Sequence, residues 1–272
     1  MRRSAVPAGS ALRASWPLPK TWSPKAFGAV LAAVLVLAAG CGRPAGSEQR
    51  TLTVLAAASL TESFQELGAR YEAEHPGVRV RFDFQGSSTL AEQIKQGRQA
   101  DVFASANTKN MDKVTELGVA EGEPRTFATN QLTIAVPAEN PGRVSSLADL
   151  GAPGRKVVTC APKVPCGSAT QKVERAAGLP LHPVSEENDV KSVLRKVAAG
   201  EADAGLVYVS DARSAGPAVR SVDFPEAGQA VNTYPAVALQ DAPEPELAAD
   251  WMQLLNGPGG REVLAKHGFG TP

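Results

Sequence analysis

The chain has 272 residues, and its 28 lysines and arginines are balanced by 28 aspartates and glutamates. It has no run of basic residues of the kind that binds nucleic acid. About 220 residues follow position 49, enough for one large domain or for two lobes of about 100 residues each.

Residues 1–40 have the pattern of a signal peptide: five basic and no acidic residues, with the apolar run AFGAVLAAVLVLAA at 26–39. This run is shorter than the roughly 20 residues that a membrane-spanning helix needs. The segment LAAGC that ends at Cys41 resembles a bacterial lipobox, although Ala38 occupies the place of the favoured leucine. The resemblance implies that Cys41 carries a lipid on the extracytoplasmic face of the cell membrane. The alternative is ordinary cleavage near Ala39 and release of a soluble protein.

Residues 41–49 combine the anchor cysteine with GRPAGSEQ, whose composition is typical of a flexible tether. The folded part then begins near residue 50 with the apolar run TLTVLAAA, a helix to about residue 75 and the alternating run VRVRFDF. A helix to about residue 96 and the run DVFASA follow. Strand, helix, strand is the order of a parallel α/β sheet. We expect TLTVLAAA and DVFASA to be buried on both faces and VRVRFDF on one.

A second series begins after a helical stretch at 110–118. It comprises QLTIAVPAENP, KVVTCAP, helices at 169–178 and 190–200, and ADAGLVYVS. VRSVDFPE, VNTYPAVALQ and two closing helices separated by glycines at 257–260 complete the chain. The repeated plan predicts two α/β lobes with a ligand cleft between them. Lobe 1 comprises 50–130 and 231–272, lobe 2 comprises 131–230, and hinges are expected at 129–132 and 228–232.

Ser59 and Ser87 each open a predicted helix directly after a predicted strand. Hydroxyls and unpaired backbone N–H groups at two such helix starts can donate to one anion between them. The alternative is that each serine only caps its own helix, since Ser59 heads the capping-box pattern SLTE and Ser88 could be the cap in place of Ser87.

Cys160 and Cys166 lie six positions apart, and outside the cytoplasm they are expected to form a disulfide. Closing so small a loop stabilises a fold by roughly 2 kcal/mol in the chain-entropy model. A metal pair is the alternative. It is disfavoured because no third or fourth ligand is nearby and the spacing is not CxxC.

Six motifs follow one another along the chain: AAASL at 56–60, SSTLA at 87–91, ADVFASA at 100–106, VPCG at 164–167, ENDVKSVL at 187–194 and GLVYVSDA at 205–212. In this order they resemble the molybdate-binding proteins that serve ABC transporters, within the type II periplasmic binding protein fold. The resemblance runs from about residue 52 to residue 269.

The resemblance implies an oxyanion site made of the hydroxyls and N–H groups of Ser59 and Ser87, the backbone N–H groups of Cys166 and Val190, and the hydroxyl of Tyr208. It implies molybdate or tungstate as ligand, an ABC transporter permease as partner, no cofactor, no direct metal-ion ligand and no enzymatic activity. We expect a monomer. From its side chain alone Val190 is an ordinary core residue, and Tyr208 a core or rim tyrosine.

Two positions depart from the family pattern. Many relatives have a small residue such as alanine at Cys166, and many have a third serine at Gly86. The first difference is harmless if only the N–H donates, and a disulfide to Cys160 would hold that N–H in place. The second leaves the backbone beside Ser87 freer, with no predicted direction of effect.

Every inferred ligand group is an uncharged hydrogen-bond donor. A fully ionised tetrahedral anion can therefore accept from all of them, whereas the hydroxyl of a protonated anion finds no acceptor. A sulfate or other oxyanion receptor is an alternative within the same class. A cell-surface hydrolase that uses Ser59 or Ser87 as nucleophile is another, but no histidine in a matching motif could act as base. A sensor ectodomain would need a second membrane span, which the sequence does not show.

Overall fold

The computed structural model describes residues 49–272. The predicted signal peptide, the lipidation site Cys41 and most of the tether lie outside the described residues. The described chain belongs to one compact unit, Ser47–Pro272. Within it, none of the helices combines the length and the apolar character needed to cross a membrane.

The strands of the described residues form two five-stranded sheets. In chain order the strands are β1 (Arg50–Ala57), β2 (Val78–Gln85), β3 (Val102–Ala104), β4 (Ala120–Asn130), β5 (Leu132–Pro137), β6 (Val157–Cys160), β7 (Ser185–Glu187), β8 (Ala204–Tyr208), β9 (Val219–Val222) and β10 (Asn232–Leu239). The strand order is β2-β1-β3-β10-β4 in the first sheet and β7-β6-β8-β5-β9 in the second.

Helices connect these strands and cover the sheets. They are α1 (Thr61–Glu74), α2 (Ser87–Lys95), α3 (Thr108–Thr115), α4 (Pro165–Ala177), α5 (Val190–Ala198), α6 (Val209–Ser214), α7 (Pro245–Asn256) and α8 (Pro258–Lys266). Short 3-10 turns include Ala58–Leu60, between β1 and α1, and Pro225–Ala230, before β10.

The two sheets share one topology. In the first, β1 is parallel to β2 and β3 on either side, and β10 runs antiparallel to β3 and β4. In the second, β6 is parallel to β7 and β8, and β5 runs antiparallel to β8 and β9. The predicted pair of similar α/β lobes is therefore confirmed.

Each sheet has its own hydrophobic core. In the core of the first, Trp251 of α7 meets Phe64 and Tyr71 of α1 edge-on, with ring centroids 5.7 and 5.6 Å apart. Such pairs contribute about 0.5–1.5 kcal/mol each beyond the burial of their area. They hold α1, and with it the turn that carries Ser59, against the sheet.

The structure differs from the sequence-based prediction at several elements. The sequence does not predict the strand β4, because its residues AEGEPRTFATN do not alternate. It lies at the edge of its sheet, where Pro124 costs no ladder hydrogen bond. The helix α4 begins at Pro165 rather than at residue 169, since proline is favoured in the first turn of a helix. Cys166 therefore lies in the first turn of α4.

The chain passes between the sheets twice. It leaves the first sheet at Asn130 and enters the second at Leu132, and it returns through Pro225–Ala230 to Asn232. The predicted hinge segments at 129–132 and 228–232 coincide with these two passages.

Candidate functional site

One small cavity lies where the two sheets face each other, and all five residues predicted to bind an anion line it. The complete lining is Ala57, Ala58, Ser59, Gly86, Ser87, Ala106, Val164, Pro165, Cys166, Val190 and Tyr208. Larger pockets occur elsewhere among the described residues, for example beside Arg213 and Gly268.

The first sheet supplies the two serines. Ser59 lies in the turn that follows β1, and Ser87 is the first residue of α2, directly after β2 and Gly86. Because β1 and β2 are parallel and in register up to Ala57 and Gln85, their carboxyl ends are adjacent. Ligands of open α/β sheets bind at this edge.

The second sheet supplies the other three residues. Cys166 lies in the first turn of α4, Val190 is the first residue of α5, and Tyr208 ends β8. Amides in the first turn of a helix have no acceptor within it. Among the described residues, no other acceptor receives the N–H of Cys166 or Val190. Both N–H groups are therefore free to donate to a ligand.

The three hydroxyls of the site have neighbours that leave their protons available. Ser87 Oγ accepts from the N–H of Ala106 at 3.0 Å, and Tyr208 Oη accepts from Asn232 Nδ2 at 2.7 Å. Ser59 Oγ and Tyr234 Oη are 2.9 Å apart, and either can donate. A hydroxyl has one proton and two acceptor sites. Each of the three can therefore accept from the protein while it donates into the cavity.

The hydrogen bonds also decide between the alternatives for the serines. Ser59 does not cap α1, since its hydroxyl pairs with Tyr234 and the helix has no side-chain cap. Ser87 is the first helical residue after the N-cap Gly86, and the buried hydroxyl of Ser88 has no hydrogen-bond partner. Neither predicted capping role is present.

No charged side chain lines the cavity. Burial raises the pKa of Tyr208 and of Tyr234 above the ordinary value of a tyrosine. Both phenols therefore stay neutral near pH 7 and act as hydrogen-bond donors rather than as anions.

A charged cluster lies beside the cavity. The carboxylate of Asp211 is fully buried and accepts the N–H of Tyr208 at 3.2 Å. Burial raises the pKa of Asp211 to about 6, and the nearby charge of Lys191 opposes this rise. Lys191 Nζ is 3.2 Å from Asp211 Oδ1, close enough for charge attraction although not aligned for a hydrogen bond.

Lys191 also connects the two sides of the cleft. Its Nζ, at the start of α5, donates to both carboxylate oxygens of Glu62 in α1, at 2.7 and 2.9 Å. Glu62, Glu187 and Asp189 lie near the inferred binding turns in the sequence, and repulsion from a dianion predicts that they point away from the site and cap helices. Only Asp189 does so, by accepting the N–H of Ser192 at 2.8 Å. Glu62 and Glu187 instead pair with Lys191 and Lys196, because a lysine lies within reach of each.

The disulfide between Cys160 and Cys166 is present, with Cα atoms 5.6 Å apart, as predicted. It ties the end of β6 to the first turn of α4. Next to it, Gly167 passes so close to the carbonyl of Ala161 that a Cβ would lie 2.0 Å from the oxygen. The backbone that carries the N–H of Cys166 is therefore closely held on both sides.

Sequence reasoning missed Asn232 and Tyr234. Both side chains lie behind the cavity, and they alternate along β10, so they point to the same face of the sheet. The sequence NTY at the start of β10 is a usable signal, because Asn232 and Tyr234 share one face of the strand and their polar groups need partners when buried.

A nucleophilic serine would need a general base within hydrogen-bond reach. In the described part of the chain, the side chain of Ser59 pairs with a phenol and that of Ser87 with a backbone amide. Neither partner is a base at neutral pH, so the geometry does not favour a hydrolase.

Comparison with known proteins adds a family and a fold. The chain matches the family model of bacterial extracellular solute-binding proteins over residues 52–270. The molybdate-binding protein ModA of Mycobacterium tuberculosis (strain H37Rv) is 46% identical over 259 residues, covering 92% of this chain and 99% of that protein. The putative ABC transporter substrate-binding lipoprotein YvgL of Bacillus subtilis (strain 168) is 30% identical over 255 residues, covering 89% and 96%.

A solved structure has the same architecture. The periplasmic molybdate-binding protein of Azotobacter vinelandii matches with a TM-score of 0.71 at 23% identity, over 81% of this chain and 99% of that one. Two lobes, each with a mixed sheet, are thus the shared fold. The relatives are binding proteins rather than enzymes, in agreement with the sequence-based expectation. The chain belongs to the bacterial extracellular solute-binding protein family.

Proposed function

We propose that this protein captures molybdate, and also tungstate, outside the cytoplasm and delivers it to an ABC importer. The observation that carries the proposal is the convergence of uncharged donors from both lobes on one cavity. The names of relatives such as the Mycobacterium tuberculosis protein point to the same ligand.

The proposed ligand contacts are the hydroxyls and N–H groups of Ser59 and Ser87, the N–H groups of Cys166 and Val190, and the hydroxyl of Tyr208. Hydrogen bonds to charged groups contribute about 1.5–3 kcal/mol each. Seven such bonds contribute about 10–21 kcal/mol in total. The upper part of this range exceeds the roughly 12 kcal/mol of a nanomolar site and leaves a surplus that offsets ordering and desolvation. A lysine or arginine in the cavity is not required.

The hydrogen bonds that the site hydroxyls accept from the protein favour a fully ionised anion as ligand. Because Ala106 N–H and Asn232 Nδ2 donate to Ser87 and Tyr208, these hydroxyls present protons to the cavity. Hydrogen phosphate would bring a proton of its own and find no acceptor of matching strength. Molybdate, tungstate and sulfate are all tetrahedral dianions, so selection among them rests on the size of the closed cavity.

Transport follows from closure of the cleft. In this proposal lobe 1 (50–130 and 231–272) and lobe 2 (131–230) move about the passages at 129–132 and 228–232. The closed, loaded form then docks on the permease. A signal peptide at 1–40 and a lipid on Cys41 would keep the monomer at the outer face of the membrane, an arrangement supported by the name of the Bacillus subtilis lipoprotein.

The test is calorimetric titration of residues 42–272, which include the whole compact unit Ser47–Pro272, with molybdate, tungstate, sulfate and phosphate. We expect tight binding of molybdate and tungstate and weak or no binding of sulfate and phosphate. Tight binding of sulfate without heat from molybdate would replace the proposal by a sulfate receptor.

A further inference from the structure

A pair of opposite charges joins the two lobes beside the cavity. Lys191 Nζ in lobe 2 donates to Glu62 Oε1 at 2.9 Å and to Glu62 Oε2 at 2.7 Å in lobe 1. The side chain of Lys191 is 14% exposed and that of Glu62 is 38% exposed. The pair is therefore shielded from solvent on the lysine side, where charge attraction is stronger than between two fully exposed groups.

The position of this pair couples it to the anion site. Lys191 directly follows Val190 in α5, and Glu62 lies about one turn beyond Ser59, near the start of α1. Val190 and Ser59 line the same cavity from opposite lobes. Because each charged residue lies within about one helical turn of a proposed ligand residue, a motion that separates the two walls of the cavity also separates the two charges.

The two partners differ in what else they contact. Lys191 has further partners in its own lobe, the hydroxyl of Ser214 at 2.9 Å and the buried carboxylate of Asp211 at 3.2 Å. Within residues 49–272, the carboxylate of Glu62 pairs with Lys191 alone. Opening of the cleft leaves Lys191 paired within lobe 2 and releases Glu62 into water. The contact between the lobes can therefore break without leaving a buried charge unpaired.

We infer that Glu62 and Lys191 form a latch that holds the lobes together and slows release of the bound anion. The inference rests on the proposed function. The latch stabilises the closed form alone, so its loss should raise the rate of dissociation and leave the rate of association nearly unchanged.

The sign of the effect distinguishes the latch from simple repulsion. A carboxylate near the cleft that acted only through its own charge would repel a dianion. Neutralisation of Glu62 would then tighten binding. Neutralisation of one half of a latch weakens binding instead.

The test compares Glu62→Gln with wild type and with Glu66→Gln. Glutamine keeps the size of the side chain and removes its charge. Glu66 is the matched control, one turn further along α1, because its partners Arg70, Lys266 and His267 all belong to lobe 1. Dissociation is measured by filter retention of radiolabelled molybdate during a chase with excess unlabelled molybdate, affinity by calorimetry, and anion-free stability by thermal unfolding.

For Glu62→Gln we expect dissociation to be about three- to tenfold faster and affinity to be weaker by the same factor, equivalent to about 0.7–1.4 kcal/mol. Its anion-free melting temperature should equal that of wild type, because the open form lacks the pair. Glu66→Gln should release molybdate at the wild-type rate and melt at a lower temperature, since it loses ion pairs within one lobe. Added salt should accelerate dissociation from wild type more than from Glu62→Gln, because salt screens the pair.

A dissociation rate of Glu62→Gln at or below that of wild type would overturn the inference. So would an anion-free melting temperature lowered as much as that of Glu66→Gln, because the pair would then be a folding contact that exists without anion. If wild type itself binds no oxyanion, the proposed function fails and the latch fails with it.

Discussion

The two walls of the cavity are built from different chemical groups. In lobe 1 both lining donors, Ser59 and Ser87, can donate through a hydroxyl as well as through the N–H group. In lobe 2 Cys166 and Val190 can donate only through the backbone N–H, and Tyr208 adds a single hydroxyl. A side-chain donor depends on which residue is present. A backbone donor depends only on where a helix begins. Substitution of Ser59, Ser87 or Tyr208 therefore removes a donor, whereas Cys166 and Val190 tolerate a change of side chain.

The walls are also held in place differently. In lobe 1 the hydroxyls are oriented by neighbours, Ala106 N–H for Ser87 and the phenol of Tyr234 for Ser59. In lobe 2 the helix starts are held by the disulfide to Cys160 and by the Asp189 cap. In lobe 2 the buried carboxylate of Asp211 lies directly behind the wall, where it accepts the N–H of Tyr208. Four experiments test these differences.

The largest expected effect concerns Asp211, whose pKa of about 6 lies above the ordinary value of 3.8. A carboxyl whose pKa is raised on folding contributes stability that is fully present below pH 4 and is lost as pH rises through 6. The free energy of unfolding of wild type should therefore fall relative to Asp211→Asn by about 3 kcal/mol between pH 4 and pH 7. Urea unfolding without anion measures this, and parallel pH profiles for the two proteins would contradict it.

Ser59→Ala and Ser87→Ala should each weaken molybdate binding by about 1.5–3 kcal/mol, since each removes a donor to a charged ligand. Calorimetry measures the loss. Ser63→Ala is the matched control, because Ser63 is equally buried and its hydroxyl donates to Leu60 O outside the cavity. Unchanged affinity in both cavity variants would show that the serines are not ligands.

Replacement of Cys160 and Cys166 by alanine should lower the free energy of unfolding by roughly 2 kcal/mol. Affinity for molybdate should stay within about threefold of wild type, equivalent to about 0.7 kcal/mol, because the N–H of residue 166 remains at the helix start. Reductant added to wild type should have the same effect on urea unfolding. A loss of affinity as large as that of the serine variants would mean that the disulfide itself positions the donor.

The smallest expected effect concerns Val190, where two substitutions distinguish a contribution of the backbone N–H from one of the side chain. Proline is tolerated at the first position of a helix and lacks the N–H, and the preceding Asp189 is already extended. Val190→Pro should therefore weaken molybdate binding by about 1.5 kcal/mol, as measured by calorimetry. Val190→Ala, which keeps the N–H, should change affinity by less than about twofold. Equal affinities of the two variants would exclude the backbone donor.

Much of the fold could be predicted from local patterns. Alternating and continuous apolar runs predict most strands. Apolar residues three and four positions apart, such as Phe64, Leu67 and Tyr71 in α1 and Leu247, Trp251 and Leu255 in α7, predict helices, because these signals depend on neighbours in the chain. Strand β4 lacked such a signal, since an edge strand with exposed residues need not alternate. The sequence predicts too late a start for α4, because VPCG has the composition of a turn although Pro165 is the first residue of the helix.

The sequence by itself determined which residues are candidates for the site: two serines after strands, the motif positions Cys166, Val190 and Tyr208, and the cysteine pair. The tertiary structure alone decided how these residues are oriented. Tyr234 meets Ser59 across 175 positions, Lys191 meets Glu62 across 129, and Gly86 meets the carbonyl of Asn188 in the other lobe. Such contacts arise only when distant segments pack, because local periodicity contains no information about which remote residue becomes a neighbour.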